Sequence, residues 1–356
     1  MDLELTPEQQ LLRETVRGLC ARHCGLDVVR QLEDDAVGYP EKLWLQFGEL
    51  GLLEVGQLSM IDAVIVYQEL GRALAPSPHF VSSVLSSGVI ARAGSEEQRR
   101  EWLPMLASGE AIITPAWLEP GGGFGPEGVQ LPTERLTGTK RHVEFARAAD
   151  RLLVLTRGED GGLQFVLVDP DSAGVELTQQ LTVGSSTQYR VDLDGAAGDV
   201  LEGGGWAVWD EVMHDGIVLL AAMAVGGARH ALDITVQYAK DRHQFDKPLG
   251  AFQAIAHYLA DAVTTVDGAE TLVYEAAWAG ANDRPVTRLA PMAKLFACQT
   301  FRDVTAMAQQ VFGGVGFTVE YDIQLYFRRA KQLQSSWWDA RYLEELVATD
   351  VLDTPA

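Results

Sequence analysis

Apolar residues recur at helical spacing through the first part of the chain. Thr6, Pro7 and Gln9 make a helix start: a hydroxyl N-cap, a proline at the first helical position and a glutamine at the capping-box position. Leu11, Leu12, Val16, Leu19 and Cys20 then mark one face for burial. Helices are predicted from Glu41 to Leu50, stopped by Gly51, from Ile61 to Leu74, and after Pro78. Ser95 caps another that ends at Gly109. Residues 1–110 therefore predict an all-helical unit. The period changes near Ile112. RLLVLTR, GLQFVLVDP and STQYRVDLDG alternate or cluster as strands do, with GEDGG and DPDSAG as turns. Residues 111–205 thus predict a small antiparallel β unit.

From Trp206 helices return and are long. VLLAAMAVGGARHALDITVQYAK is broken by Pro248 and Gly250, and a new helix starts at Phe252. Phe252, Ile255, Ala256, Leu259, Ala260 and Val263 lie on one face of it. After Pro285, RLAPMAKLFACQTFRDVTAMAQQVF ends at Gly313 and Gly314, and a last helical region runs from Tyr321 to Val347. Four long helices with short connections predict an up-and-down bundle over 206–356. The class is α+β, mainly α.

A length of 356 residues leaves room for two or three structural units. No apolar run reads as a membrane span, and the N-terminus MDLELTPEQQ is too acidic and polar for a leader. The expectation is a cytoplasmic protein that inserts in no membrane. A net charge of −22 lacks the electrostatic footprint of a nucleic-acid binder, though a local basic site can still take an anion. Cys20, Cys24 and Cys298 read as free thiols. Cys20 and Cys24 lie one turn apart without a second ligand pair, so no metal site is expected.

One stretch carries a fixed charge at a corner. Arg242, Gln244 and Phe245 close a long helix just before Pro248 and Gly250. A guanidinium there can meet a phosphate bidentately, with an amide and an aromatic face beside it. On this stretch alone, a helix C-terminus capped by a basic residue explains the pattern as well.

Longer segments add a resemblance. GSEEQRREWLPMLASGEAIITPAWLEPGGG, LTGTKRHVEFARAADRLLVL, YAKDRHQFDKPLGAFQAIAHYLAD and AQQVFGGVGFTVEYDIQLYFRRAK resemble, in that order, the signature stretches of the acyl-CoA dehydrogenase family. The resemblance covers essentially the whole chain. It implies that family's fold, with a central β-barrel-like domain, and FAD-dependent α,β-dehydrogenation of an acyl-CoA thioester, with an electron-transfer flavoprotein as acceptor. In that chemistry a carboxylate takes the α-proton while hydrogen bonds to the thioester carbonyl sharpen its acidity.

The resemblance also shows departures. Most members carry the base glutamate at a fixed distance after an Arg-Asp-Ala-Lys arginine; counted from Arg328, that position is Trp337. Others carry it on the helix before the Arg-x-x-Phe motif, where this chain has Gly216. Neither side chain can take a proton, and Asp215 and Asp339 are the nearest candidates for a relocated base. Where the family holds the flavin ring with Thr, Ser and Trp-Ile-Thr, this chain has Leu118, Phe124 and His142-Val143-Glu144. Arg242, Gln244, Phe245, Gln310, Gly313 and Gly314 match the positions that reach across to a neighbouring subunit's FAD. The pattern resembles the base-lacking subunit of bacterial α2β2 acyl-CoA dehydrogenases that degrade sterol side chains, whose partner is the catalytic subunit. A complete homomeric dehydrogenase with a relocated base, and a flavin-free structural partner, are the alternatives.

Overall fold

The computed structural model describes residues 4–54, 56, 58–184 and 186–352. Local sequence signals set the helix starts. Thr6 caps α1 (Pro7–His23) and Ser95 caps α6 (Glu96–Ser108), each in a full capping box with Gln9 or Gln98. Between them lie α2 (Leu26–Gln31), α3 (Glu41–Glu49), α4 (Met60–Ala73), and a π-helix (Phe80–Ser86) that runs into α5 (Ser87–Ala93). On α1 the marked face is buried at Val16, Leu19 and Cys20, but Leu11 is 65% exposed.

The described residues form two compact units. One comprises Arg30–Leu58 and Pro76–Gly216. It holds a four-stranded sheet of order β1-β3-β4-β7 and a three-stranded sheet of order β2-β6-β5. The strands are β1 (Ile113–Ala116), β2 (Leu136–Glu144), β3 (Arg151–Arg157), β4 (Leu163–Val168), β5 (Val175–Gln180), β6 (Gln188–Ala196) and β7 (Asp199–Val200). The expected antiparallel, barrel-like arrangement needs two corrections. β1 pairs with β3 in parallel, from Ile113↔Arg151 to Ala116↔Val154. The chain leaves β1, crosses to the other sheet as β2 and re-enters in the same direction, which a hairpin cannot do. The sheets also stay separate and close no barrel. Lys140 is fully buried here. Its ammonium donates to the Glu119 carboxylate at 2.7 Å and the Leu155 carbonyl at 2.6 Å, and burial still pulls its pKa down to about 8.

The other unit gathers the described residues up to Val29, Ser59–Ala75, and those from Ile217 on. α7 (Trp206–Asp241) enters it after Gly216. By length and composition α7 could cross a membrane, contrary to the sequence expectation. Most of that apolar stretch is buried inside the protein, so it is a core helix. α4 lies against it at backbone distance. A Cβ on Gly71 would fall 1.9 Å from the Met223 carbonyl oxygen, and one on Gly226 would fall 1.9 Å from that of Gln68. Then come α8 (Gln253–Ala281) and α9 (Leu289–Phe312). The last helical region is split into α10 (Ile323–Ser335) and α11 (Ala340–Leu352), because Trp337 and Trp338 both take left-handed backbone (φ 52° and 68°). On α8 the buried stripe is Leu259, Ala262, Val266, Ala269 and Val273; Ala256, Ala260 and Val263 face outward.

Gly226→Ala is expected to cost roughly 1–3 kcal/mol, because the methyl must push two helices apart. Gly18→Ala, in α1 with open space at its Cβ position, should instead stabilise by about 0.5–1 kcal/mol. Urea midpoints of the two variants, read against the parent, check both signs.

Candidate functional site

The Arg242 corner is built by the ends of α7 and α9. The Tyr238 ring stacks on Phe312 at 4.1 Å and 17°, fastening one helix end to the other. One turn later Arg242 donates its N–H to the Tyr238 carbonyl, and its own carbonyl accepts from Leu249. Between them is a small hairpin, β8 (His243–Gln244) and β9 (Lys247–Pro248), a strand pair that sequence analysis did not anticipate after Trp206. Its two-residue turn puts Phe245 and Asp246 at φ 54° and 62°, the mirror-image turn that suits strand twist. A phenylalanine with positive φ is strained, and strain of this kind concentrates at functional positions. Phe245 is 86% exposed and touches only the edge of Phe252 among rings, at 6.2 Å.

The guanidinium of Arg242 is exposed and has no hydrogen-bond or ion-pair partner among the described residues. The chain has 50 acidic residues against 28 basic ones, and ten arginines, among them Arg17, Arg92 and Arg229, are paired with a carboxylate. On the α9 side, Gln310 is exposed on the last turn, and Gly313 leaves the helix at φ 68°. Added Cβ atoms at Gly313 and Gly314 would meet nothing within 4 Å, so the backbone there is open to a close-lying ligand. The segments carrying Arg242, Gln244 and Phe245 and those carrying Gln310, Gly313 and Gly314 are thus held together. A free guanidinium, exposed amides and bare backbone suit a phosphate-bearing group.

The two base positions are filled. A Cβ at Gly216 would lie 3.1 Å from the Phe80 ring and 3.2 Å from Leu85, both buried, so a carboxylate side chain would enter only if those side chains gave way. Trp337 is buried, in the strained corner between α10 and α11. Lys294, fully buried, fastens that corner. Its ammonium donates to the carbonyls of Leu333, Ser336 and Trp338 at 3.2, 3.0 and 2.9 Å. Burial holds its pKa below the usual lysine value. Sequence analysis missed Lys294, although a lysine inside the apolar stripe of Ala290, Ala293, Ala297 and Phe301 was the available signal. Neither relocated base is free. Asp339 caps α11 by accepting from the Tyr342 N–H at 3.0 Å. Asp215 sits 3.5 Å from Arg92, which also binds Glu211, and burial raises its pKa.

At the ring positions, Leu118 and Phe124 carry no hydrogen-bond donor. The Phe124 ring lies 5.9 Å from Trp117, which lies 5.3 Å from Trp209. The Glu144 carboxylate accepts from the Gln188 amide at 3.3 Å. These residues suit an aromatic core and do not fit the edge of an electron-rich flavin ring. The residues of the Arg242 corner do fit the phosphate-bearing end of a dinucleotide.

Comparison with known proteins shows the family. Residues 203–335 match the family model described as acyl-CoA dehydrogenase, C-terminal domain, and residues 6–110 the one described as acyl-CoA dehydrogenase, N-terminal domain. Acyl-CoA dehydrogenase IpdE2 of Mycobacterium tuberculosis is 32% identical over 337 residues, 92% of each chain. The structure is similar to a chain of the ChsE4-ChsE5 complex from Mycobacterium tuberculosis, with TM-score 0.90, 29% identity and 100% of both chains covered. It is also similar to a chain of a variant of the Tcur3481-Tcur3483 steroid ACAD, with TM-score 0.85, 29% identity and 97% and 98% of the two chains covered.

Lys294→Met should leave three carbonyls without their donor. Each buried acceptor left unmade costs about 1–3 kcal/mol, so the thermal midpoint should fall by several degrees. Tryptophan fluorescence should shift with it, as Trp337 and Trp338 lose their fixed surroundings. An unchanged melting curve with an unchanged spectrum would remove Lys294 as the fastening of the corner.

Proposed function

The chain belongs to the acyl-CoA dehydrogenase family of oxidoreductases, and we propose that it acts there as the non-catalytic half of a heteromeric enzyme. Its catalytic partner subunit supplies the base and the flavin-ring site. This chain supplies Arg242, Gln244, Phe245, Gln310, Gly313 and Gly314 to the pyrophosphate and adenosine of the partner's FAD, in an α2β2 assembly. The observation that carries the reading is the exposed, unpaired Arg242 guanidinium at a strained corner, in a chain whose base positions are blocked by Phe80 and by Trp337. Decay without function would not spare the one set and fill the other.

The flavin, when bound, supplies the hydride acceptor for α,β-dehydrogenation of an acyl-CoA. What this chain's residues do is bind and orient. Arg242 grips the phosphates as a planar fork, and the bare backbone at Gly313 and Gly314 lets them come close. The likeness to chains of two solved complexes, one of them a steroid ACAD, supports a heteromeric assembly and a bulky, ring-bearing acyl group. Electrons then pass to an electron-transfer flavoprotein, as in the family at large.

Arg242→Ala should lower FAD retention by the complex about ten- to a hundredfold, the equivalent of roughly 1.5–3 kcal/mol for a charge-assisted hydrogen bond. The side chain is exposed, so the subunit stays folded. Arg242→Lys should restore only part of the binding, since a point charge replaces a fork. Bound flavin per complex is the readout, and wild-type flavin content in Arg242→Ala would end the assignment. Trp337→Glu should give the isolated chain no turnover, because a base works only when aimed over a bound flavin. Robust turnover by that variant would mean that this chain holds the ring itself.

A further inference from the structure

One cavity shares no residue with the Arg242 corner or with either base position. Arg17, Cys20 and Cys24 line it from one face of α1 and its C-cap, and Glu69 and Arg72 from one face of α4. His230 of α7 and Tyr326 of α10 line it too. These residues belong to the same compact unit, and the space among them is about 160 Å³.

The lining is cationic, with donors to spare. The buried Glu69 carboxylate takes Arg17 through Nε and one Nη at 2.8 and 2.6 Å, which leaves the other Nη free. Arg72 makes a single side-chain bond, 3.3 Å from one Nη to the exposed Asp233. Its Nε and second Nη have no partner among the described residues. In the same lining the Nδ1 of His230 is buried and also unpartnered. A buried polar atom left unpaired is costly. Burial and the nearby Arg72 charge push the His230 pKa down to about 4, so the ring is neutral and carries one N–H. Two arginines against one carboxylate give the lining a positive balance, in a chain of net charge −22. The rest of the lining is softer. Ala21 joins Cys20 and Cys24, and burial raises both thiols, Cys24 to about 12, so each stays a neutral S–H. No group of three or more His, Cys, Asp or Glu side chains among the described residues could hold a metal ion, so the thiols are wall and not ligands.

We propose that this cavity binds a short aliphatic carboxylate. The carboxylate meets the free N–H groups of Arg72 and Arg17 and the His230 ring, and the aliphatic chain lies against Cys20, Ala21 and Cys24. A bare inorganic anion would use the first set and leave the apolar wall wet. A neutral molecule would leave the guanidinium donors without a charged acceptor. Size agrees: a cavity near 150 Å³ holds a benzene-sized guest of about six non-hydrogen atoms, which butyrate matches. The site stands apart from the flavin reading, because the two have no residue in common.

The test titrates the full-length chain with butyrate, inorganic phosphate and butanol by calorimetry. Butyrate should bind saturably, at least about tenfold tighter than either of the others. Arg72→Gln should weaken butyrate at least about tenfold, and Arg72→Lys should restore part of the binding, since the charge returns without the planar fork. Ala21→Leu keeps every charge but fills the cavity, and should abolish binding. Ala21 is exposed, so that variant stays folded, which circular dichroism checks. The ring proton signals of His230, assigned by their loss in His230→Gln, should titrate nearer the ordinary histidine value once butyrate is bound, because a carboxylate stabilises the charged ring. Absence of saturable butyrate binding overturns the proposal. So does phosphate that binds as tightly as butyrate, a His230 signal that bound butyrate does not move, or butyrate binding that both Arg72→Gln and Ala21→Leu leave intact.

Discussion

The stack of Tyr238 on Phe312 fixes where two rigid helices must end. α7 and α9 are long, so their last turns cannot drift once those rings meet. Each helix then has to leave the contact sharply. α7 does so through Arg242 and a two-residue turn with Phe245 and Asp246 in left-handed backbone. α9 does so through Gly313, at φ 68°. The hairpin and the glycine turn are consequences of that one contact. They leave a guanidinium, two amides and bare backbone exposed, and the guanidinium has no partner among the described residues.

The same helices close the other half of the chemistry. The start of α7 brings Gly216 against Phe80 and Leu85, so closely that a side chain there would have to push them aside. The α9 lysine, Lys294, spends all three of its protons on the corner that carries Trp337. A buried ammonium bonded to carbonyls alone is costly unless all of them are in place. The corner is therefore rigid, although the residue at its tip can move no proton. The corner that carries Arg242 and the corner that carries Trp337 are both fastened by α9, one through Phe312 and the other through Lys294.

Much of the fold was legible because local signals and the global arrangement agree. Thr6 and Ser95 cap the helices expected of them, and the change of period near Ile112 marks the first strand. What was not legible depends on contacts distant in sequence. The parallel β1–β3 pair follows from a crossing between sheets that no alternation encodes. On α8 the pattern names apolar residues on both sides and cannot say which stripe this chain covers. Lys140 and Lys294 were passed over because a lysine reads as surface until its acceptors are known. Of the site, the residue types at Arg242, Gly216 and Trp337 could be read from the sequence. The ring of Phe80 filling the place of a carboxylate could not.

The account stands on a division of labour: this chain holds one end of a flavin and another chain holds the ring. The visible absorption spectrum measures that most directly. The chain purified alone should show no flavin band. Purified with its catalytic partner, it should show the band at one flavin per pair of unlike chains. A lone chain that is yellow, with flavin bound at one per chain, would contradict the account.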